Sequence, residues 1–216
     1  MPGRAVVLQL KTIQAYDRLR LRRLTARHRG LEIHPSASSN LAAARYDLAD
    51  GARLRIGAGV VTERLAGALH FSLEPDAEVV VGDGTWLRTD IGCVHLVAFA
   101  GARMTLGDWG FLNGCHLSCK RELRTGRRAW IGPGSRVFDS DQHDFDSERP
   151  EISQPVMIGN CVWISSDVTI LRGVTIGDHS VVGARSLVTR DIPPHTLAFG
   201  QPARPRGEVG DRSHTR

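Results

Sequence analysis

A polar, acidic segment in the C-terminal half of the chain carries the residues best suited to chemistry. Residues 139–150 read Asp-Ser-Asp-Gln-His-Asp-Phe-Asp-Ser-Glu-Arg-Pro, so His143 lies among several carboxylates. Histidine is well suited to proton abstraction because its unperturbed pKa of about 6.5 lies near neutral pH. We therefore predict that His143 is a general base and that Asp141 orients its ring, with Asp139 and Glu148 as alternatives.

This segment interrupts a six-residue repeat. Aliphatic residues recur every sixth position, and the position four after each is small or β-branched. The two sets are Ile158, Ile164, Ile170, Ile176, Val182 and Val188, and Val162, Val168, Val174, Ser180, Ser186 and Ile192. Neither a helix, with a period of 3.6, nor a half-buried strand, with a period of 2, produces this pattern. It predicts a mainly β protein, a parallel β-helix in which stacked coils bury the aliphatic column.

Imperfect sixes precede the clear repeats. Aliphatic residues followed by glycine occur at Ile56, Val81, Leu106 and Ile131. The phase slips between them, which predicts turns or insertions at residues 61–69, 118–129 and 143–155. Polar loops on a rigid scaffold are the usual position of catalytic groups. We therefore expect a projecting loop at about 143–155 to carry the site.

The charge is concentrated at the N-terminus. The formal net charge is +5, but residues 1–30 carry eight Arg and Lys against Asp17 alone, so the remaining chain is slightly acidic. Leucine and isoleucine among the arginines, at Leu10, Ile13, Leu21 and Leu24, predict a helix whose apolar face packs on the body. Contact of residues 1–30 with an anionic membrane surface or polymer is a less favoured alternative, and we expect no nucleic-acid partner.

Length and composition favour one main domain. We predict a basic helical segment at 1–30, a β-helix domain at 31–204 and a disordered tail at 205–216. No apolar stretch approaches the roughly 20 residues of a membrane span, and residues 6–10 are too short for a signal-peptide core, so we expect a cytoplasmic protein. The cysteines form no C-x-x-C pair, and we expect free structural thiols at Cys93, Cys115, Cys119 and Cys161.

Several motifs resemble the hexapeptide-repeat acyltransferases, in particular the galactoside, maltose and Nod-factor O-acetyltransferase branch. These motifs are residues 141–143, 162–164, 188–194 and 200–204. The resemblance is tight over residues 131–204, looser over 50–130, and does not cover the basic N-terminus. It implies a left-handed parallel β-helix, a homotrimer, and acetyl transfer from acetyl-CoA in clefts between subunits.

The resemblance also implies roles for individual residues. His143 matches the catalytic histidine, and the backbone N–H of Ser166 matches the donor to the oxyanion. Positions that line the coenzyme A groove in the family are Ser166, Ala184, Thr189, Arg190 and Arg204. Arg185, where the family commonly has glycine, is either a further phosphate contact or a solvated charge. Trp163 and Asn113 match positions that contact the acceptor.

We therefore expect an acetyl-CoA-dependent O-acetyltransferase that acts on a hydroxyl of a sugar, polysaccharide or glycoconjugate by direct attack. A covalent route through Cys115 is less favoured because no visible partner would lower the pKa of its thiol. Sugar acetyltransferases carry acidic residues where this chain has the basic segment 118–129. That difference predicts an acceptor with negative charge, or an acceptor site without the usual sugar contacts.

Three alternatives stay open at this point. The first is N-acyl transfer to an amino sugar or nucleotide sugar, and the second is a β-helix scaffold without catalysis. The third is a zinc enzyme of the γ-carbonic anhydrase type, with His116 and His143 as ligands. Such a site needs two histidines close together in sequence, and none lies near His143. We therefore expect no metal.

Overall fold

The computed structural model describes residues 4–215, which form a three-sided parallel β-helix preceded by one α-helix. Helix α1 spans Arg4–Arg27, and a 3-10 helix spans Ser39–Ala43. The rest of the described chain is built mainly from short strands. Residues 1–3 of the predicted basic segment and residue 216 of the predicted tail lie outside the described residues.

The strands form three sheets, one on each side of the β-helix. Sheet A contains β1 (Leu31–Ile33), β3 (Arg53–Ile56), β6 (Glu78–Val81), β9 (Arg103–Leu106), β12 (Glu122–Thr125), β15 (Val156–Ile158) and β18 (Thr175–Ile176). Sheet B contains β2 (Arg45–Leu48), β5 (Leu69–Leu73), β8 (Val94–Ala98), β11 (His116–Cys119), β14 (Arg136–Phe138), β17 (Thr169–Ile170) and β20 (Leu187–Val188). Sheet C contains β4 (Val61–Thr62), β7 (Trp86–Arg88), β10 (Phe111–Asn113), β13 (Trp130–Ile131), β16 (Trp163–Ile164), β19 (Val181–Val182), β21 (Thr196–Gly200) and β22 (Ala203–Glu208).

From β3 to β20 the chain visits sheets A, C and B in turn, and strands of successive coils pair in parallel within each sheet. Among the strands of residues 4–215, only β22 pairs antiparallel, with β21. The register aligns the repeats, so that Ile131, Ile164 and Val182 lie side by side in sheet C. All twelve repeat positions between Ile158 and Ile192 are buried. The predicted aliphatic column is confirmed.

Glycine at the corner between sheets A and C allows the coils to stack closely. A Cβ built on Gly126 would lie 2.7 Å from the backbone N of Asn160, and one on Gly107 would lie 2.4 Å from the carbonyl carbon of Gly126. Real Cβ atoms essentially never approach backbone so closely. The glycines after the aliphatic positions therefore have a steric cause, since the next coil occupies the space of a side chain.

Helix α1 covers the first coils, as predicted, but only with its C-terminal half. Leu21 is buried and Leu24 packs against the core, whereas Leu10 is 52% exposed. Asp17 is buried and accepts two hydrogen bonds from Arg64, at 2.7 and 3.1 Å. Within the described part of the chain, no helix combines the length and apolar character needed to cross a membrane.

Two predicted segments differ from the structure. Residues 118–129 are not an insertion, because they contain the end of β11 and all of β12. The predicted disordered tail instead continues strand β22 to Glu208 and then runs back over the coils. We call residues 209–215 the C-terminal strap. The sequence pattern missed both elements because neither repeats the apolar period of six.

The corner glycines yield a stability prediction. Replacing Gly126 with alanine should lower the free energy of unfolding by about 1–3 kcal/mol, because overpacking forces backbone shifts. Gly207→Ala is the matched control, since nothing lies within 4 Å of its Cβ position, and it should change stability by no more than about 0.5 kcal/mol. Urea unfolding measures both, and equal midpoints would contradict the steric account.

Candidate functional site

The repeat is interrupted between β14 and β15 by residues 139–155, which we call the histidine loop. An antiparallel bridge between Ser140 and Ser153 closes its base. Residues 143–150, by contrast, are all exposed. The loop therefore projects from the corner between sheets B and A, as predicted.

Asp139 fixes the base of the histidine loop to the preceding coil. Its side chain is fully buried. It accepts hydrogen bonds from the backbone N–H groups of Lys120, Arg121 and Glu122, at 2.7, 2.7 and 2.8 Å. Because these three donors occupy the carboxylate, Asp139 anchors the loop and does not orient His143.

Gln142 holds the backbone immediately before the histidine. Its φ of 70° lies in the left-handed region, which non-glycine residues rarely adopt. Three hydrogen bonds hold Gln142. The Ser118 hydroxyl donates to the side-chain oxygen of Gln142 at 3.2 Å, and the side-chain amide of Gln142 donates to the Ser140 hydroxyl at 2.5 Å. The Lys120 ammonium donates to the backbone carbonyl of Gln142 at 3.1 Å, and it also donates to Glu151 at 2.7 Å. The direction in which the chain enters His143 is therefore set by the coil beneath it.

The His143 ring is exposed, and no hydrogen bond joins it to another residue within 4–215. Asp141, predicted to orient it, instead accepts from Arg172 Nε at 2.5 Å and from the backbone N–H of Ile152 at 3.3 Å. In this single chain, Asp141 ties the loop to the next coil. Of the other candidate, Glu148, the structure shows only an exposed carboxylate.

A pocket of about 430 Å³ lies beside the loop on the outer side of sheet B. Its lining includes Asp141, Gln142, Arg172 and Thr189. Thr189 follows β20, two coils beyond the start of the loop, and is exposed. The structure thus brings Thr189, predicted for the coenzyme A groove, to the same pocket as the base of the histidine loop.

A second group of predicted residues lies at the corner between sheets C and B. Ser166 and Ala184 occupy equivalent positions in adjacent coils, and Arg185 N–H donates to the Ser166 carbonyl at 2.9 Å. The backbone N–H groups of Ser166 and Ala184 have no acceptor among residues 4–215. Two adjacent N–H groups without an internal acceptor are suited to bind carbonyl oxygens of a ligand. Arg185 itself is exposed.

The C-terminal hairpin is tied to the same corner. The side-chain amide of Gln201 donates to the Arg185 carbonyl at 2.8 Å. Arg204, on β22, is exposed and donates to the Ala203 carbonyl at 3.0 Å. Arg190, also exposed, follows Thr189 on the other side of sheet B. The predicted basic residues therefore lie at both corners that flank sheet B: Arg185 at the corner with sheet C, and Arg190 at the corner with sheet A.

Trp163 belongs to an apolar column on the outer side of sheet C. The register aligns Val61, Trp86, Phe111, Trp130, Trp163, Val181 and Leu197 in successive coils. Trp163 is 42% exposed. One chain therefore leaves a long row of aromatic and aliphatic side chains accessible on this side.

Asn113, at the end of β10, is buried, and its Oδ1 atom has no hydrogen-bond partner among the described residues. Such an atom costs free energy unless a ligand, water or neighbouring molecule supplies a donor. Asn113 and Trp163 lie on sheet C, whereas His143 projects from the far edge of sheet B. A single chain does not bring all predicted site residues together.

The thiols are unsuited to covalent catalysis. Burial raises the pKa of Cys115 to about 12. Burial and the neighbouring Asp139 carboxylate also raise the pKa of Cys119. Within residues 4–215, no group of three or more His, Cys, Asp or Glu side chains is arranged to hold a metal ion. Neither the cysteine route nor the zinc alternative gains support.

Three residues that matter to this site were missed from the sequence. Gln142 directly precedes the predicted histidine, and its position was the only available signal. Arg172 and Arg212 lie far from the loop in sequence, and Arg212 belongs to the segment predicted to be disordered. Their roles depend on contacts between coils, at Asp141 and Trp163 respectively.

Comparisons with known proteins agree with this architecture. Residues 155–190 match the family model described as bacterial transferase hexapeptide (six repeats). The galactoside O-acetyltransferase of Escherichia coli K12 is 51% identical over 70 residues, which are 32% of this chain and 34% of that protein. The aligned segment thus spans about a third of the relative's length.

Solved structures extend the likeness over more of the fold. The polySia specific acetyltransferase NeuO matches with a TM-score of 0.60 and 22% identity, covering 80% of this chain and 79% of that one. At that identity the likeness concerns the fold alone, and it confirms the predicted left-handed parallel β-helix. Residues 155–190 thus match the repeats of the bacterial transferase hexapeptide model, within a fold that is similar to that of NeuO.

Proposed function

We propose that this protein transfers an acetyl group from acetyl-CoA to a hydroxyl of a sugar, polysaccharide or glycoconjugate, with His143 as general base. The main support is the position of His143, on a loop anchored by Asp139 and Gln142 beside the pocket that ends at Thr189. A catalytic base requires such fixed support, because misplacement by about 1 Å can cost roughly 100-fold in rate.

The proposed reaction is direct transfer. His143 removes the proton from the acceptor hydroxyl while its oxygen attacks the thioester carbon. The N–H of Ser166 donates to the oxygen of the tetrahedral intermediate. The intermediate then collapses, the carbon–sulfur bond breaks, and the proton from His143 passes to the departing CoA sulfur. The raised pKa of Cys115 supports this route over an acyl-cysteine intermediate.

The other predicted residues have corresponding roles in this proposal. The Ala184 N–H and the Thr189 side chain bind the amide-bearing arm of coenzyme A, and Arg185, Arg190 and Arg204 bind its phosphates. Trp163 and Asn113 contact the acceptor. Asp141 is a positioning residue, because it fixes the loop through Arg172. A division after the N-terminal helix, at residue 30, and a cytoplasmic location belong to the same proposal.

We further propose that the protein is a homotrimer. The outer column of sheet C is apolar and partly exposed over seven coils. The outer side of sheet B carries a stack of His70, His95 and His116, with ring centroids 5.7 and 5.8 Å apart. Burial lowers the pKa of His95 and of His116, which favours neutral rings suited to an interface. Packing sheet C of one copy near sheet B of another brings Trp163 of the first towards the second copy's histidine loop.

The catalytic proposal predicts the effect of removing the base. His143→Ala should lower acceptor-dependent release of CoA thiol by about 10²–10⁴-fold, the usual contribution of a general base. Circular dichroism and the molar mass should not change, because His143 is exposed. His34→Ala is the control, since the His34 ring hydrogen-bonds, among residues 4–215, only with nearby Ser36 and lies on the N-terminal coils. Full activity of His143→Ala would overturn the proposal.

The assembly proposal predicts a molar mass and its disruption. Light scattering after gel filtration should give three times the chain mass of 23.6 kDa. Trp86→Asp should reduce that mass, because it places a charge within the apolar column of sheet C. Thr105→Asp, on the outer side of sheet A, should leave it unchanged. A monomeric wild type, or equal behaviour of the two variants, would contradict the assignment of the interface.

A further inference from the structure

The C-terminal strap crosses several coils in reverse order along the corner between sheets A and C. It forms backbone and side-chain hydrogen bonds at each crossing. These pairs are Val209 with His195 at 2.7 Å, Arg212 with His179 at 3.0 Å and with Cys161 at 3.2 Å, and Thr215 with Arg128 at 2.7 Å. The strap is therefore a fixed element of the fold, positioned by the backbone carbonyls of His195 and Cys161 and by the side chains of His179 and Arg128.

The strap places a guanidinium group on the ring of Trp163. The central carbon of Arg212 lies 5.5 Å from the ring centroid, and its Nε donates to the Cys161 carbonyl. Burial lowers the pKa of Arg212, so its charge is partly removed from water. The contact of a cation with an aromatic ring is favourable, but it does not supply Arg212 with a negatively charged partner.

No carboxylate among the described residues lies within 4.0 Å of the Arg212 guanidinium, and its two terminal nitrogens have no acceptor there. The basic residues of segment 118–129 are either paired or solvated. Lys120 is paired with Glu151 at 2.7 Å, and Arg124 with Glu122 at 2.6 Å. Arg121 and Arg127 are exposed, and Arg128 donates to the Thr215 carbonyl. Arg212 differs from all of them, because it is partly buried without a carboxylate partner within residues 4–215, and it supports a negatively charged acceptor more directly than that segment does.

We propose that Arg212 binds a carboxylate of the acceptor, so that the acceptor is an acidic sugar whose ring stacks near Trp163. This inference rests on the proposed function, in which Trp163 is part of the acceptor site. Two parallel N–H groups of a guanidinium match the two oxygens of a carboxylate, which gives both affinity and orientation. An apolar or neutral sugar would leave the partly buried charge of Arg212 without a partner.

The test compares acidic sugars with matched neutral ones. Oligosaccharides of uronic and sialic acids, each beside its carboxyl-reduced counterpart, are titrated calorimetrically into the full-length protein with coenzyme A present. The wild type should bind at least one acidic sugar about 10-fold or more tightly than its counterpart. Arg212→Met should weaken that binding by about 10- to 100-fold and leave the neutral sugar unaffected. Arg212→Lys should retain part of the preference.

Arg206→Met is the matched control, because Arg206 lies 5.6 Å from the ring of Phe199, in a similar cation–π contact on β22. It should keep the preference for the acidic sugar. The proposal is overturned if the wild type prefers no acidic sugar, or if Arg212→Met weakens both sugars equally, as loss of the strap alone would do. A higher KM for acetyl-CoA without a change for the sugar would also overturn it, and would assign Arg212 to the coenzyme's phosphates.

A failure of the proposed function is visible separately. Binding is measured without turnover, so a specific preference for acidic sugars can be detected in a protein that releases no thiol. Conversely, thiol release could depend on His143 without requiring an acidic acceptor. That result would support the catalytic proposal and contradict the proposed role of Arg212. Calorimetric binding therefore tests the role of Arg212, and thiol release tests the catalytic role of His143.

Discussion

The close stacking of parallel coils is the constraint on which the structure depends. Adjacent strands of a sheet lie about 4.8 Å apart, so each side chain contacts its equivalents in the coils above and below. Inward positions must then be apolar or small, as at Ile164 and Ser180, and both are buried. At the corner between sheets A and C, the same proximity leaves room only for glycine, as at Gly126. Stability, register and repeat length follow from this one spacing.

The same constraint explains how a rigid fold carries the projecting histidine loop. An insertion at a corner leaves the stacked sides intact, provided that its ends are fixed to the coils. Buried Asp139 provides this at one end by accepting three backbone N–H groups from the preceding coil. Arg172, in the next coil, binds Asp141 near the same end and the side chain of Gln154 at the other end. Asp139 and Asp141 thus serve to hold the loop, and the His143 ring is left exposed.

The period of six predicted the β-helix because inward positions repeat in sequence as well as in space. The interruption after Val137 likewise predicted the histidine loop. Strand β12 escaped detection because only Leu123 in it is a large apolar inward residue, while Thr125 occupies the next inward position. The C-terminal strap escaped because it is held by hydrogen bonds to the corner of the β-helix, and such contacts impose no apolar pattern. Arg172 and Arg212 could not be assigned for the same reason: their partners are distant in sequence.

The central claim is that acyl transfer occurs between the corner N–H of Ser166 and the histidine loop. The most direct measurement is a crystal structure of the protein with a thioether analogue of acetyl-CoA that cannot transfer its acyl group. We expect the acyl oxygen at about 3 Å from the Ser166 N–H, with a His143 ring facing the acyl carbon across space for an acceptor oxygen. An analogue whose acyl end lies on sheet A, or anywhere remote from both groups, would contradict the account.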